Sequence, residues 1–188
     1  MAGSSLISAG GIGDYSLFAA YANPHGKVFA FEPFPKQFAL LKENLANNHI
    51  DNVQAFAEAI WLQSGVLKLD STPGDPGKFI SLSDEADVAQ FTQVPCITLA
   101  AVFAQLKIVR CDLMKIDCEG AEYAILFNTP DDVLGRIERI VMEYHDCITS
   151  DTHRDMRAFL SFKGFSVCIR QNYVHSDLGY LYAWRRSE

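Results

Sequence analysis

The stretch that decides the fold reads Met114-Lys115-Ile116-Asp117-Cys118-Glu119-Gly120-Ala121-Glu122. Three carboxylates and a lysine crowd the end of an apolar run, where a buried strand should pass into a helix. In open α/β sheets, ligands bind outside the carboxyl ends of the strands. The stretch therefore predicts an active-site rim, with Asp117 and Glu119 as candidate catalytic residues. The alternative is a plain helix start, in which Asp117 is the N-cap and the glutamates favour the positive end of the helix dipole.

A glycine-rich turn near the N-terminus is the second signal. It reads Ser8-Ala9-Gly10-Gly11-Ile12-Gly13-Asp14-Tyr15-Ser16 and precedes an apolar, helix-like stretch over residues 17–21. Small residues let the backbone approach a ligand closely, and the helix N-terminus beyond them attracts negative charge. The candidate ligand-binding residues here are Ala9, Gly10, Gly11, Gly13, Asp14 and Tyr15.

A single carboxylate at the end of a second strand is the third signal. Glu32 closes the β-rich run Lys27-Val28-Phe29-Ala30-Phe31-Glu32-Pro33, about 20 residues beyond the glycines. At that spacing an acidic residue grips the ribose hydroxyls in nucleotide-binding βαβ units. Taken singly, the turn could be only a turn and Glu32 only a solvated charge. The three signals in this order indicate a nucleotide-type site.

The chain resembles the FkbM-like family of S-adenosylmethionine (SAM)-dependent methyltransferases. The resemblance covers residues from about Gly11 to the Gly164-Phe165 turn. It is carried by Ile12-Gly13-Asp14-Tyr15-Ser16, Phe31-Glu32-Pro33 with Pro35, Asn44 and Asn47, Ile97-Thr98-Leu99, the block from Asp112 to Glu122, and Glu143 and His145. It implies a seven-stranded methyltransferase sheet, SAM as cofactor, and O-methylation of a small hydroxyl-bearing molecule such as a sugar or a polyketide-type metabolite.

The sequence departs from the family pattern at a few positions. The first loop usually begins with Asp and carries Asn, where this chain has Ile7 and Gly11, and Ala100 replaces an Asp after Thr98-Leu99. The family also usually carries an extension before the first strand, so we expect an N-terminally shortened sheet. The first loop and the short start bear on cofactor affinity more than on fold.

Composition fits one soluble domain over residues 1–188, large enough for a substantial core. The net charge of −7 argues against a nucleic-acid surface. Five scattered cysteines without a C-x-x-C pair predict reduced thiols and a cytoplasmic location. No apolar run approaches the roughly 20 residues of a membrane span, so no membrane partner is expected. The sequence leaves the oligomeric state open.

Alternating strand and helix patterns predict the fold class. We expect an α/β, Rossmann-like sheet of seven strands, mostly parallel, closed by an antiparallel C-terminal hairpin. The fourth core strand should span residues 113–117 and its helix residues 120–127. Residues 94–99 predict another strand. Residues 71–93, which begin with a Pro- and Gly-rich loop, predict an irregular flap over the site.

The parts of SAM suggest a role for each candidate. The backbone near Gly11 and Asp14 can receive the amino-acid carboxylate. Glu32 can accept both ribose hydroxyls. Asp117 should face the ammonium group or the methyl acceptor. The adenine should meet the residues that follow the second and third strands, which are Pro33 or Phe34, and Glu58 and Ala59.

An alcohol acceptor also needs a proton acceptor. We prefer His145, which follows the fifth strand and titrates near neutrality, over Glu119. Glu143 shares a strand face with His145 and could orient it. These three residues and Asp117 could instead hold Mg²⁺ or Mn²⁺. No metal-spaced pair is evident, and the sequence prediction is a site without metal.

Two other classes of function remain open. A nicotinamide-dependent oxidoreductase needs G-x-G-x-x-G, and here Ser16 stands at the third glycine position, which disfavours that class. A member that keeps the fold without turnover is the other alternative, since Ile7 departs from the family pattern.

Overall fold

The computed structural model describes residues 3–70, 91–146 and 148–185. Its first half contains β1 (Ser4–Ser8), α1 (Asp14–Ala22), β2 (Lys27–Phe31), α2 (Pro35–Asn47), β3 (Val53–Phe56), β4 (Ala59–Ile60) and β5 (Gly65–Asp70). Its second half contains β6 (Phe91–Ile97), α3 (Leu99–Gln105), β7 (Leu113–Ile116), α4 (Glu122–Phe127), α5 (Asp131–Leu134), β8 (Arg139–His145), α6 (His153–Phe162), β9 (Ser166–Gln171) and β10 (Leu178–Trp184). None of the helices in the described ranges is long and apolar enough to cross a membrane.

The main sheet has seven strands in the order β3-β2-β1-β7-β8-β10-β9. The first five are parallel to one another, and β10 pairs antiparallel with both β8 and β9. The predicted fold class is therefore confirmed. The chain leaves β1 toward β2 on one side and returns to β7 on the other, which makes the β1–β7 boundary a topological switch point and the expected place for a ligand.

The register brings the candidate segments to one edge of the sheet. Ser8, the last residue of β1, pairs with Phe31 of β2 and with Ile116 of β7. The three strands therefore end at the same level. The glycine-rich turn, Glu32 and Asp117 follow directly, so they meet at the carboxyl edge.

Apolar residues on alternate positions hold this edge in place. Leu6, Met114, Ile116 and Met142, on three adjacent strands, are fully or almost fully buried in one cluster. On the helix side, Leu41 of α2 packs against Ala30 of β2 in a smaller cluster. Burial of such side chains typically contributes about 1.5–3 kcal/mol each, so this packing stabilises the positions of the strand ends.

The loop after β7 differs from the prediction. Strand β7 ends at Ile116 and α4 begins only at Glu122, because Glu119 and Gly120 have positive φ values of 50° and 102°. Such residues cannot continue a right-handed helix. The alternative in which Asp117 caps the helix is therefore wrong, since the N-cap is Ala121.

A second, three-stranded sheet in the order β4-β6-β5 stands beside the site. Strand β6 was expected from residue 94 but begins at Phe91, and it pairs with β5 from Asp70 onward. Residues 91–93 thus belong to a strand and not to an irregular flap. The rest of the predicted flap, residues 71–90, lies outside the described residues.

Candidate active site

The carboxylate of Glu32 is fixed at the end of β2. It is only 3% exposed, and each of its oxygens accepts a backbone N–H: Oε2 from Gly11 at 2.8 Å and Oε1 from Phe34 at 2.9 Å. Burial raises the pKa of Glu32, although these two N–H groups and the charge of Lys115 act in the opposite direction. Each oxygen keeps a free lone pair. Glu32 can therefore still accept a hydrogen bond from a ligand while it holds the glycine turn.

The glycine turn follows a path that most side chains would prevent. Ala9, Gly11 and Gly13 have φ values of 56°, 54° and 101°. A Cβ on Gly13 would meet Leu41 Cδ1 at 2.7 Å, whereas a Cβ on Gly11 would meet nothing within 4 Å. Gly13 is thus needed for packing, and Gly11 faces open space. Gly13 is also the N-cap of α1 and no side chain caps the helix, which suits a site for an anion.

A cavity of roughly 210 Å³ lies between these segments. Nine of the predicted site residues line it: Ala9, Gly11, Glu32, Pro33, Phe34, Glu58, Ala59, Asp117 and Glu119. The structure therefore brings together the glycine turn, the carboxylate of Glu32, the residues expected beside the adenine, and the acidic stretch. Predicted residues that do not line the cavity are Gly10, Gly13, Asp14, Tyr15 and His145.

Five cavity residues were missed by sequence reasoning: Ser8, Gln37, Ile60, Leu69 and Cys118. Ser8 and Cys118 are neighbours of predicted residues, and their side chains contact each other through Oγ and Sγ at 2.9 Å. Ile60 and Leu69 come from the second sheet. Only the pairing of that sheet places them here, and no local sequence signal reveals it.

Lys115 connects the glycine turn with the acidic stretch. Its Nζ donates to Asp117 Oδ2 at 2.9 Å and approaches the carbonyl oxygen of Ala9 at 3.4 Å. The ammonium also lies 5.9 Å from the centre of the Tyr15 ring. The lysine that a plain helix start left unexplained therefore holds two loops together.

Glu122 organises the loop after β7 from inside. It is completely buried, and its carboxylate accepts the backbone N–H of Cys118 at Oε1 and that of Gly120 at Oε2, the latter at 2.8 Å. A Cβ on Gly120 would meet Ile148 Cγ2 at 2.6 Å. The loop thus folds around the Glu122 carboxylate. Sequence reasoning named Glu122 only as a helix-dipole residue, although a third acid in nine residues was a signal.

His145 lies between two carboxylates. It is 6% exposed, with Nδ1 at 3.4 Å from Glu122 Oε1 and Nε2 at 3.3 Å from Glu119 Oε2. Burial lowers the pKa of His145, but the two carboxylates outweigh this effect and raise it to about 8. The expected partner, Glu143, shares a hydrogen bond with Tyr180 instead. Glu119 and Glu122 therefore orient the ring, and Glu119 is the one that reaches the cavity.

The seven-stranded sheet is that of the Rossmann-like methyltransferase folds. An FkbM methyltransferase from Methylobacillus flagellatus matches 97% of this chain and 44% of that chain with a TM-score of 0.64 at 11% identity. The N-terminal domain of human METTL16 in complex with SAH matches 100% of this chain and 63% of that chain with a TM-score of 0.57 at 13% identity. At these identities the likeness shows the fold alone.

The family is set by sequence. The model of the methyltransferase FkbM domain matches residues 9–167, and the chain therefore belongs to the FkbM methyltransferase family. A relative, the 31-O-demethyl-FK506 methyltransferase FkbM of Streptomyces tacrolimicus, is 28% identical, with 86% of this chain and 72% of that protein covered. The family resemblance seen in the sequence is confirmed, and the chain is a methyltransferase.

Proposed function

We propose that this methyltransferase transfers the methyl group of SAM to a hydroxyl oxygen of a small molecule, such as a sugar unit or a polyketide-type metabolite. The observation that carries the proposal is the single cavity at the switch point, which joins Glu32 to the acidic stretch at Asp117 and Glu119. The relative from Streptomyces tacrolimicus, whose name gives a 31-O-demethyl compound as its substrate, supports the choice of oxygen.

The residues present fit the cofactor. Glu32 offers a free lone pair on each oxygen to the ribose hydroxyls, in a position fixed by two backbone N–H groups. Ala59, beside Pro33 and Phe34, leaves room for a flat ring. When bound, SAM supplies an electrophilic methyl carbon on a sulfonium. The residues around it hold and orient both partners, because near-attack geometry removes much of the entropic barrier.

The charge at the far end of the cavity also fits. Four carboxylates belong to this group, those of Asp117, Glu119, Glu122 and Glu143, against two cationic side chains, Lys115 and His145. The excess of negative charge favours a cofactor with a sulfonium and an ammonium group. It disfavours a phosphate-rich acceptor, which agrees with the expectation that nucleic acid is not a partner.

Geometry also ranks the candidates for the proton acceptor. Glu119 lines the cavity and its side chain is half-exposed, whereas His145 is buried and does not line it. We assign contact with the acceptor hydroxyl to Glu119, with His145 directly behind it at 3.3 Å. The preference for His145 as the base itself stays a prediction.

Binding and transfer assays test the proposal. Isothermal titration with SAM and with NAD⁺ separates the methyltransferase from an oxidoreductase, because only SAM should bind. Transfer of labelled methyl from SAM is then followed over a panel of sugars, hydroxylated polyketides, nucleic acid and protein. Label on a hydroxyl of a small molecule supports the proposal. Label only on nucleic acid or protein overturns the acceptor class, and SAM binding with no transfer to any acceptor favours the non-catalytic alternative.

A further inference from the structure

The ring of His145 lacks a hydrogen-bond partner at one nitrogen. Nδ1 is buried without one, although a carboxylate oxygen of Glu122 lies 3.4 Å away. Nε2 is 3.3 Å from Glu119. Good N–H···O bonds measure about 2.7–3.2 Å, so the Nε2 contact is only slightly long, whereas Nδ1 is left without a hydrogen bond. A buried nitrogen without a hydrogen bond is costly. A protonated ring forms an ion pair with Glu122 here, whereas a neutral ring can offer its Nδ1 lone pair to a cation in the same place.

The same place gathers the atoms of a cation site. Asp117, Glu122 and His145 each offer one ligand atom, and these atoms all lie within 4.8 Å of one another. Two ligands at about 2.1 Å from one octahedral metal ion stand roughly 3 Å apart when adjacent and just over 4 Å apart when opposite. The 3.4 Å contact is a little long for an adjacent pair, so the three side chains can share an ion after a small inward movement.

The hydrogen bonds of the cluster are those of supported ligands. Backbone N–H groups of Cys118 and Gly120 hold the Glu122 carboxylate, and Lys115 holds Asp117. Metal-ligating carboxylates usually accept such bonds, and a ligating histidine usually donates its other N–H to a carboxylate. Nε2 faces Glu119 in that manner. The Lys115 ammonium opposes a cation by charge, but the four carboxylates around it leave an excess of negative charge to be balanced.

We propose that Asp117, Glu122 and His145 bind a divalent cation, with His145 Nδ1 as the nitrogen ligand and Glu119 as the acceptor of the Nε2–H group. Two carboxylates and one imidazole suit Mg²⁺ or Mn²⁺, which complete their coordination with water. The sequence prediction was a site without metal because no metal-spaced pair is evident, although Asp117 and His145 were among the residues considered as ligands. One consequence rests on the proposed function: an ion beside the cavity would polarise an acceptor hydroxyl and ease the loss of its proton.

Mn²⁺ binding to the chelator-treated full chain tests the site without SAM or acceptor. Isothermal titration gives the affinity and stoichiometry, and the electron paramagnetic resonance of free Mn²⁺ gives an independent count. The test variants are Asp117→Asn and His145→Gln, which do not remove the buried Glu122 on which the loop is folded. The matched controls are Glu43→Gln on the exposed face of α2 and His175→Asn in an exposed loop. Thermal melting verifies that each variant is folded.

We expect one ion per chain, displaced by excess Mg²⁺, with binding lost in both test variants and kept in both controls. Glu119→Gln should weaken binding by about tenfold, as loss of an outer partner usually does. No binding to the folded wild type at millimolar Mn²⁺ would overturn the proposal. So would unchanged affinity in Asp117→Asn and His145→Gln, since the ion would then sit elsewhere. SAM binding and methyl transfer are measured separately, so a failed metal site and a failed methyltransferase assignment give different results.

Discussion

Two loops of this protein each hold a glutamate carboxylate with two backbone N–H groups, but the two carboxylates differ in their access to the cavity. After β2, the carboxylate of Glu32 is held by the N–H groups of Gly11 and Phe34. After β7, the carboxylate of Glu122 is held by those of Cys118 and Gly120. Glu32 opens onto the cavity, whereas Glu122 is sealed and faces a histidine. A carboxylate held by two backbone N–H groups is therefore available to a ligand in the case of Glu32, whereas in the case of Glu122 it is a buried charge beside His145.

The comparison predicts that chemistry depends on the second loop and cofactor affinity on the first. We expect His145→Ala to lower turnover about 10²–10⁴-fold, the usual effect of disabling proton removal, because His145 positions Glu119 beside the acceptor. SAM affinity should stay within a few-fold, because His145 does not line the cavity. Label transfer and isothermal titration measure the two effects, with His175→Ala as the control. Full turnover in His145→Ala would erase the proposed difference between the loops.

The loop after β7 should also be the less tolerant of added volume at its glycine. In Gly120→Ala, the new methyl group meets Ile148 at 2.6 Å and the residue has a φ of 102°. Clash and backbone strain together should reduce the free energy of unfolding by about 2–4 kcal/mol. Urea unfolding monitored by circular dichroism gives this value. A loss below the uncertainty of the extrapolation would mean that Ile148 and the loop yield easily.

A substitution in the loop after β2 should change the affinity for SAM. Glu32→Ala removes the carboxylate that we propose as the acceptor for the ribose hydroxyls, and charge-assisted hydrogen bonds of this kind contribute about 1.5–3 kcal/mol. SAM affinity should fall about ten- to a hundredfold. Glu43→Gln, on an exposed helix face, should bind as the wild type does. Unaltered SAM affinity in Glu32→Ala, determined by isothermal titration, would remove Glu32 from the ribose site.

The smallest effect is expected at Gly11, in the glycine turn after β1 whose N–H group holds Glu32. Gly11→Ala adds a methyl group that meets nothing within 4 Å, so only its φ of 54° is unfavourable. The free energy of unfolding should decrease by about 1 kcal/mol, the cost of a left-handed conformation for an L-residue. Urea unfolding beside Gly120→Ala compares the loops directly. Equal losses at the two positions would contradict the finding that Gly120 is enclosed and Gly11 faces open space.

The glycine turn after β1 and the loop after β2 could be predicted almost completely from the sequence. They are short segments whose spacing along the chain fixes their meeting once the strands are parallel, and Ala9, Gly11, Glu32 and Phe34 all line the cavity. The neighbours Gly13 and Asp14 have a structural role at the helix start instead. Spacing alone could not separate residues that contact a ligand from residues that shape the turn.

The loop after β7 was predicted only in part. Asp117, Glu119 and His145 were placed at the same edge because parallel strands β7 and β8 end there. The partner of His145 was wrongly sought in Glu143, because alternation along one strand is visible in sequence and contact between loops is not. The late start of α4 depends on the positive φ of Glu119, which no residue type announces. The second sheet, with Ile60 and Leu69, depends on long-range pairing.

Lys115 couples the glycine turn to the loop after β7. Its ammonium lies 3.4 Å from the carbonyl oxygen of Ala9, in the glycine turn after β1, and 2.9 Å from the carboxylate of Asp117, in the loop after β7. A cation bound to Asp117 would compete with the Lys115 ammonium for this carboxylate. A displacement of the ammonium would also change its contact with Ala9, and so the conformation of the glycine turn. Free-energy linkage is reciprocal, so the factor by which such a cation changes the affinity for SAM is the factor by which SAM changes the affinity for the cation.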